Sequence, residues 1–149
     1  MDPYIVDVIV FAIGNLVNLL MIGIFLSRPK GLKRVEYVLG IVQIAFIPPL
    51  VATVVINASQ GRAWWFVVLP ALLVAFLIVE LLLDYVLKLE FRTTRLLGPY
   101  LLLYYLALMG MIGYAFLVSE TYGFITLITY FMNLFATWYS YSRVGHGRK

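Results

Sequence analysis

Read for polarity alone, the chain alternates between long unbroken apolar runs and short polar breaks. Five runs reach the roughly 20 residues needed to cross a bilayer as a helix: about 5–26, 35–56, 64–87, 98–118 and 121–142. The breaks are SRPKGLKRVE (27–36), NASQGRA (57–63), KLEFRTTRLLGP (88–99) and SETYG (119–123), followed by the tail SRVGHGRK (142–149). Within the runs apolar residues are continuous rather than alternating, which excludes the strands of a β-barrel. The pattern predicts an all-α membrane protein, a five-transmembrane-helix bundle forming a single domain over residues 1–149. No internal repeat or linker interrupts it. The connections leave no room for a soluble catalytic domain or a receptor ectodomain, so any chemistry belongs to the bundle or its rim.

Composition supports the same class: 64% of residues are hydrophobic and 12% charged, where soluble domains carry about a quarter charged. The charges fix an expected orientation. Arg28, Lys30, Lys33 and Arg34 fall in the first break, Lys88, Arg92 and Arg95 in the third, and Arg143, Arg148 and Lys149 in the tail. With five spans these ten share one side, and only Arg62 lies on the other. The positive-inside rule then places the N-terminus outside and the C-terminus in the cytoplasm, as a multi-pass protein of the cell membrane. Trp64 and Trp65 would mark the outer interface, and Tyr37, Trp138, Tyr139 and Tyr141 the inner one. The start MDPYIVDVIVF is acidic rather than basic and has no small-residue cleavage site, so the first run is expected to be retained as a span.

Polar residues inside the runs are few. At about 1.5 Å per residue, Glu80 lies about 12 Å from the level of Lys88, Gln43 and Tyr104 about 14 Å from their basic anchors, and Asn18 and Asn133 about 15 Å. All five spans thus present a polar group at one level in the cytoplasmic half. Asp7, Asn15 and Asn18 share a face of the first span. Tyr100, Tyr104, Ala107, Met111 and Tyr114 form a stripe on the fourth, and Thr126, Thr129, Asn133, Thr137 and Ser140 one on the fifth. Such faces should turn inward, because lipid contact is costly for them. The expected result is a narrow crevice open to the cytoplasm, centred on Glu80 and lined by Asp84, Asn18, Gln43, Tyr104 and Asn133. A carboxyl group at that depth is a functional candidate that could hold a proton or a cationic group. Arg92, Arg95 and Arg143 at the rim are candidates for an anionic lipid headgroup.

Two plainer readings stand beside this one. Asn, Gln and Thr in spans often only join helices by hydrogen bonds, and Asp84 is shallow enough to pair with Lys88 at the interface. Pro48, Pro49 and Pro70 are expected to interrupt their helices in the outer half. No cysteine is present, which excludes disulfides, thiol catalysis and thiolate metal sites. The single histidine, His146, lies in the tail, and neither a phosphate loop nor a metal-ligand pattern occurs. No cofactor, metal or nucleic-acid partner is therefore expected. The expected partners are the bilayer, anionic lipids at the cytoplasmic face, and a second copy or a larger membrane protein. Three functions remain: a pocket protein binding or transporting a small solute, cation or lipid headgroup; a non-catalytic assembly or regulatory subunit; and an intramembrane lipid-modifying enzyme. The last ranks lowest because no second catalytic partner can be named.

Overall fold

The computed structural model describes residues 2–87 and 95–144, and of Tyr141, Arg143 and Val144 the backbone alone. The described residues are helical, without strands. Helix α1 (Pro3–Ser27) starts with Asp2 as its cap, the carboxylate accepting from the Tyr4 N–H at 2.9 Å, and with Pro3 in its first turn. Both features suit a helix start, where backbone donors lack partners. The second run is two helices, α2 (Lys33–Ile44) and α3 (Ile47–Ser59), separated at Ala45–Phe46. Pro48 and Pro49 supply no N–H, so the carbonyls of Ile44 and Ala45 lose their helical donors. Helix α4 (Trp65–Glu80) passes into a π-helical turn over Leu81–Val86. Helices α5 (Leu97–Val118) and α6 (Glu120–Val144) complete the chain.

Pro70 does not interrupt α4 as expected; it sits inside the continuous helix. Its ring removes the donor that would pair with the Phe66 carbonyl one turn earlier. Asn57 of α3 fills that place, donating through Nδ2 to Phe66 O at 3.0 Å. A neighbouring helix thus repairs the break, as membrane proteins commonly do.

The helices form a ring in which α1 packs on α2, α3 and α6, α4 packs on α3 and α5, and α5 packs on α6, with a further α1–α5 contact across the middle. Val6, Val10, Ile13, Val17 and Met21 bury one face of α1 at spacings of three and four residues. They meet Leu50, Leu73, Phe76 and Leu77 and the α5 stripe Tyr104, Ala107, Met111 and Tyr114. Outside, large apolar side chains are exposed, among them Leu19, Val55, Leu102, Ile128 and Phe135. Inside, Asn18, Gln43, Asn57, Glu80, Thr126 and Asn133 are almost wholly buried. This polarity suits a lipid surround and would be costly in water.

Among the described residues, four segments are long and apolar enough to cross a membrane: Pro3–Ser27, Lys33–Ser59, Trp65–Val86 and Leu97–Val118. The fifth expected span, α6, is 25 residues long but is not among them. Its inward stripe of Thr126, Thr129, Asn133, Thr137 and Ser140 lowers its hydropathy.

Candidate functional site

Glu80 is 4% exposed and ends the regular part of α4. Its Oε1 accepts from the Tyr100 hydroxyl of α5 at 2.7 Å, and its Oε2 from Nε2 of Gln43 on α2 at 3.2 Å. The carboxyl group therefore ties three helices together. Gln43 is wholly buried, and its Oε1 has no hydrogen-bond partner. A buried acceptor left unpaired costs about 1–3 kcal/mol, so this position is held against a local penalty.

Beside Glu80 a crevice of about 30 Å³ reaches the bundle end that carries the α1–α2 turn. Met21, Ile24 and Arg28 line it from α1 and the turn after it, Glu36 and Gly40 from α2, and Glu80, Asp84 and Tyr85 from the α4 side. The π-helical turn follows Glu80 directly and carries both Asp84 and Tyr85. Gly40 is there for space: a Cβ on it would collide with the Tyr85 hydroxyl. That hydroxyl donates to the Tyr37 carbonyl at 3.3 Å. At the mouth, Nε of Arg28 donates to Glu36 at 2.7 Å, and the guanidinium lies 5.2 Å from the Phe25 ring. The lining thus holds three carboxylate-bearing residues and one arginine. Among the described residues no group of three histidine, cysteine or acidic side chains is placed to hold a metal.

The expected site residues fall into two groups. Glu80 and Asp84 line the crevice, and Gln43 bonds to Glu80 from behind its lining. Asn18, Tyr104 and Asn133 instead bond to one another. Tyr104 donates to Asn133 Oδ1 at 2.9 Å, and Asn133 donates to Asn18 Oδ1 at 3.2 Å. The chain of bonds continues from Asn18 to Thr129 at 2.9 Å and from Thr129 to Asn15 at 2.8 Å. Asn15 then donates to Thr126 at 2.9 Å. This is a zipper between α1 and α6 with one rung to α5. Of the rim arginines, Arg95 is exposed just before α5, while Arg92 and the side chain of Arg143 lie outside the described residues.

Sequence reasoning passed over Tyr100, Gly40, Tyr85 and the Arg28–Glu36 pair as site residues. It also passed over a second polar centre at the opposite end. Arg62 reaches both oxygens of Asp7, at 2.6 and 3.1 Å. Tyr114 donates to Asp7 at 2.7 Å, and Asn57 donates to Tyr114 at 3.0 Å. Arg62 also donates to Asn57 Oδ1 at 3.1 Å and stacks 3.8 Å above the Phe66 ring. The hydrogen bond to Asp7 is the largest influence on the Arg62 guanidinium and, outweighing burial, holds it above its ordinary range. The available signal was a coincidence of charge: Asp7 is the acidic residue inside the first apolar run, and Arg62 is the one basic residue expected at the same end.

No family model, curated protein or solved structure matches this chain. Fold and interior together define an all-helical, membrane-compatible bundle with buried polar residues at its core.

Proposed function

We propose that the chain is a five-span membrane protein whose Glu80 binds a proton or a small cation entering from the cytoplasm. The observation that carries this reading is the buried Glu80 carboxyl, held by Tyr100 and Gln43 beside a crevice of about 30 Å³. A water needs about 10–15 Å³ of free space, so the crevice suits one or two waters or a bare cation. An organic solute or a lipid headgroup would require the mouth to widen. In the lining Glu36 is paired with Arg28, which leaves Asp84 as the carboxylate beside Glu80 that favours positive charge.

The orientation rests on the basic residues: the crevice opens at the end carrying Arg28, Lys30, Lys33, Arg34 and Arg95. Treating α6 as a span is supported by its outward face, where Phe124, Ile128, Phe131, Phe135 and Trp138 are exposed. The exposed Arg95 at this end would meet an anionic headgroup.

The test uses purified protein in liposomes, with proton or cation flux and melting temperature followed against pH. Wild type is expected to show a pH-dependent melting temperature, and Glu80→Gln to fold but flatten that dependence and abolish any flux. An unchanged pH profile in Glu80→Gln would remove the proposal. The α1–α6 zipper favours a second reading for Asn18, Tyr104 and Asn133, that of helix-joining groups in an assembly subunit. That reading expects a larger membrane partner to co-purify and Glu80→Gln to be tolerated.

A further inference from the structure

We propose that the Asp7–Arg62 pair is the latch of a gate that closes the bundle end opposite the crevice. Four polar side chains from α1, α3, α5 and the α3–α4 connection converge there and satisfy one another. The cluster is therefore a fastening rather than a ligand pocket. Gly61, at φ 69°, turns the chain just before Arg62, a conformation that glycine adopts at little cost.

The latch is separated from the crevice by apolar packing. Tyr114 and Tyr100 stand fourteen residues apart on α5, about 21 Å along the helix. Val10, Leu50, Leu73, Leu77 and Met111, all buried, belong to the packing between the ends. Separating apolar surfaces into water is costly. A buried ion pair behaves differently, because each partner regains hydration when the pair parts and its net contribution to the closed state is small. A charged fastening at an aqueous face can therefore open and close between states of similar free energy. The moving part is at hand: α3, which carries Asn57, is separated from α2 at Ala45–Phe46 and carries Pro48 and Pro49 in its first turn. Breaks of this kind absorb hinge motion.

That the opened path leads toward Glu80 rests on the proposed function; the latch itself does not. The chain contains no cysteine, so Thr53→Cys introduces a single reporter. Thr53 is 3% exposed and lies one turn inward of Asn57 on α3. The protein is placed in nanodiscs, where both faces meet a membrane-impermeant maleimide. Thr53→Cys alone is expected to label slowly. Adding Arg62→Gln should raise the rate by about tenfold or more, because the stranded Asp7 carboxylate drives the end open. Arg62→Lys should give an intermediate rate, since an ammonium group cannot grip both carboxylate oxygens in a fork. Labelling unchanged in folded Arg62→Gln overturns the latch. Should that variant not fold, Arg62→Lys decides on the same criterion. The readout does not involve Glu80: faster labelling together with a Glu80→Gln pH profile like that of wild type would keep the latch and sink only the proton or cation site.

Discussion

Gln43 donates to Glu80 over 3.2 Å across the α2–α4 interface, while the other end of the same amide meets no donor. One bond is gained and one acceptor is stranded. A typical hydrogen bond contributes about 0.5–1.5 kcal/mol net, and an unpaired buried acceptor costs about 1–3 kcal/mol. Gln43 is therefore a poor device for stability at this position, consistent with a role that involves Glu80.

Gln43→Met removes the stranded acceptor but also takes a donor from Glu80 Oε2, so the two effects oppose and the unfolding free energy should stay within about 2 kcal/mol of wild type. Reversible unfolding in mixed micelles measures this. A loss of more than about 3 kcal/mol would mean that the donor to Glu80 outweighs the stranded acceptor and that the amide is structural.

Gly40→Ala should displace Tyr85, because the new methyl group would meet the Tyr85 hydroxyl. Overpacking of this kind costs about 1–3 kcal/mol. Adding Tyr85→Phe removes the colliding oxygen and should restore most of the loss. A double-mutant cycle on melting temperature checks it; additive losses would show that the crowding lies elsewhere.

Asn133→Leu should weaken the α1–α6 contact without altering the crevice. It strands Asn18 Oδ1 and removes the acceptor of the Tyr104 hydroxyl. Polar contacts between membrane helices average about 0.6 kcal/mol and reach about 1.7 kcal/mol, so a loss of about 1–2 kcal/mol is expected. The pH profile ascribed to Glu80 should persist. Its disappearance in a folded Asn133→Leu protein would join the zipper to the site.

Arg62 sets the alkaline behaviour of the latch. Its folded pKa is raised above the ordinary guanidinium value, chiefly by the hydrogen bond to Asp7. A raised pKa contributes stability that is fully present below the unfolded value and is lost as pH climbs through the folded one. The contribution should therefore stay constant through neutral and mildly alkaline conditions. Thr53→Cys labelling followed against pH tests this. Gate opening on mild alkalinisation, after correction for maleimide reactivity, would contradict it.

Helix content and the membrane-compatible exterior were legible because they follow from local and cumulative properties. Run length and continuous apolarity are readable without knowing any neighbour. The inward stripes of α5 and α6 were legible for the same reason, since helical spacing alone puts Tyr104 with Tyr114 and Thr126 with Asn133. Pro70 shows the limit. Its missing donor was readable, but the repair by Asn57 required knowing which helix lies beside it.

Spacing from the basic anchors put Glu80, Gln43, Asn18, Tyr104 and Asn133 at one expected level. Level does not determine partner. Rotation of each helix about its axis divided these residues between the crevice and the zipper, and it brought Asp7 and Arg62, 55 positions apart, into contact. Hydropathy and helical spacing required polar groups to be buried in an apolar helical bundle. Which of them meet followed from the packing of the helices, because hydrogen bonds and ion pairs depend on distances of a few ångströms between helices that periodicity leaves free to turn.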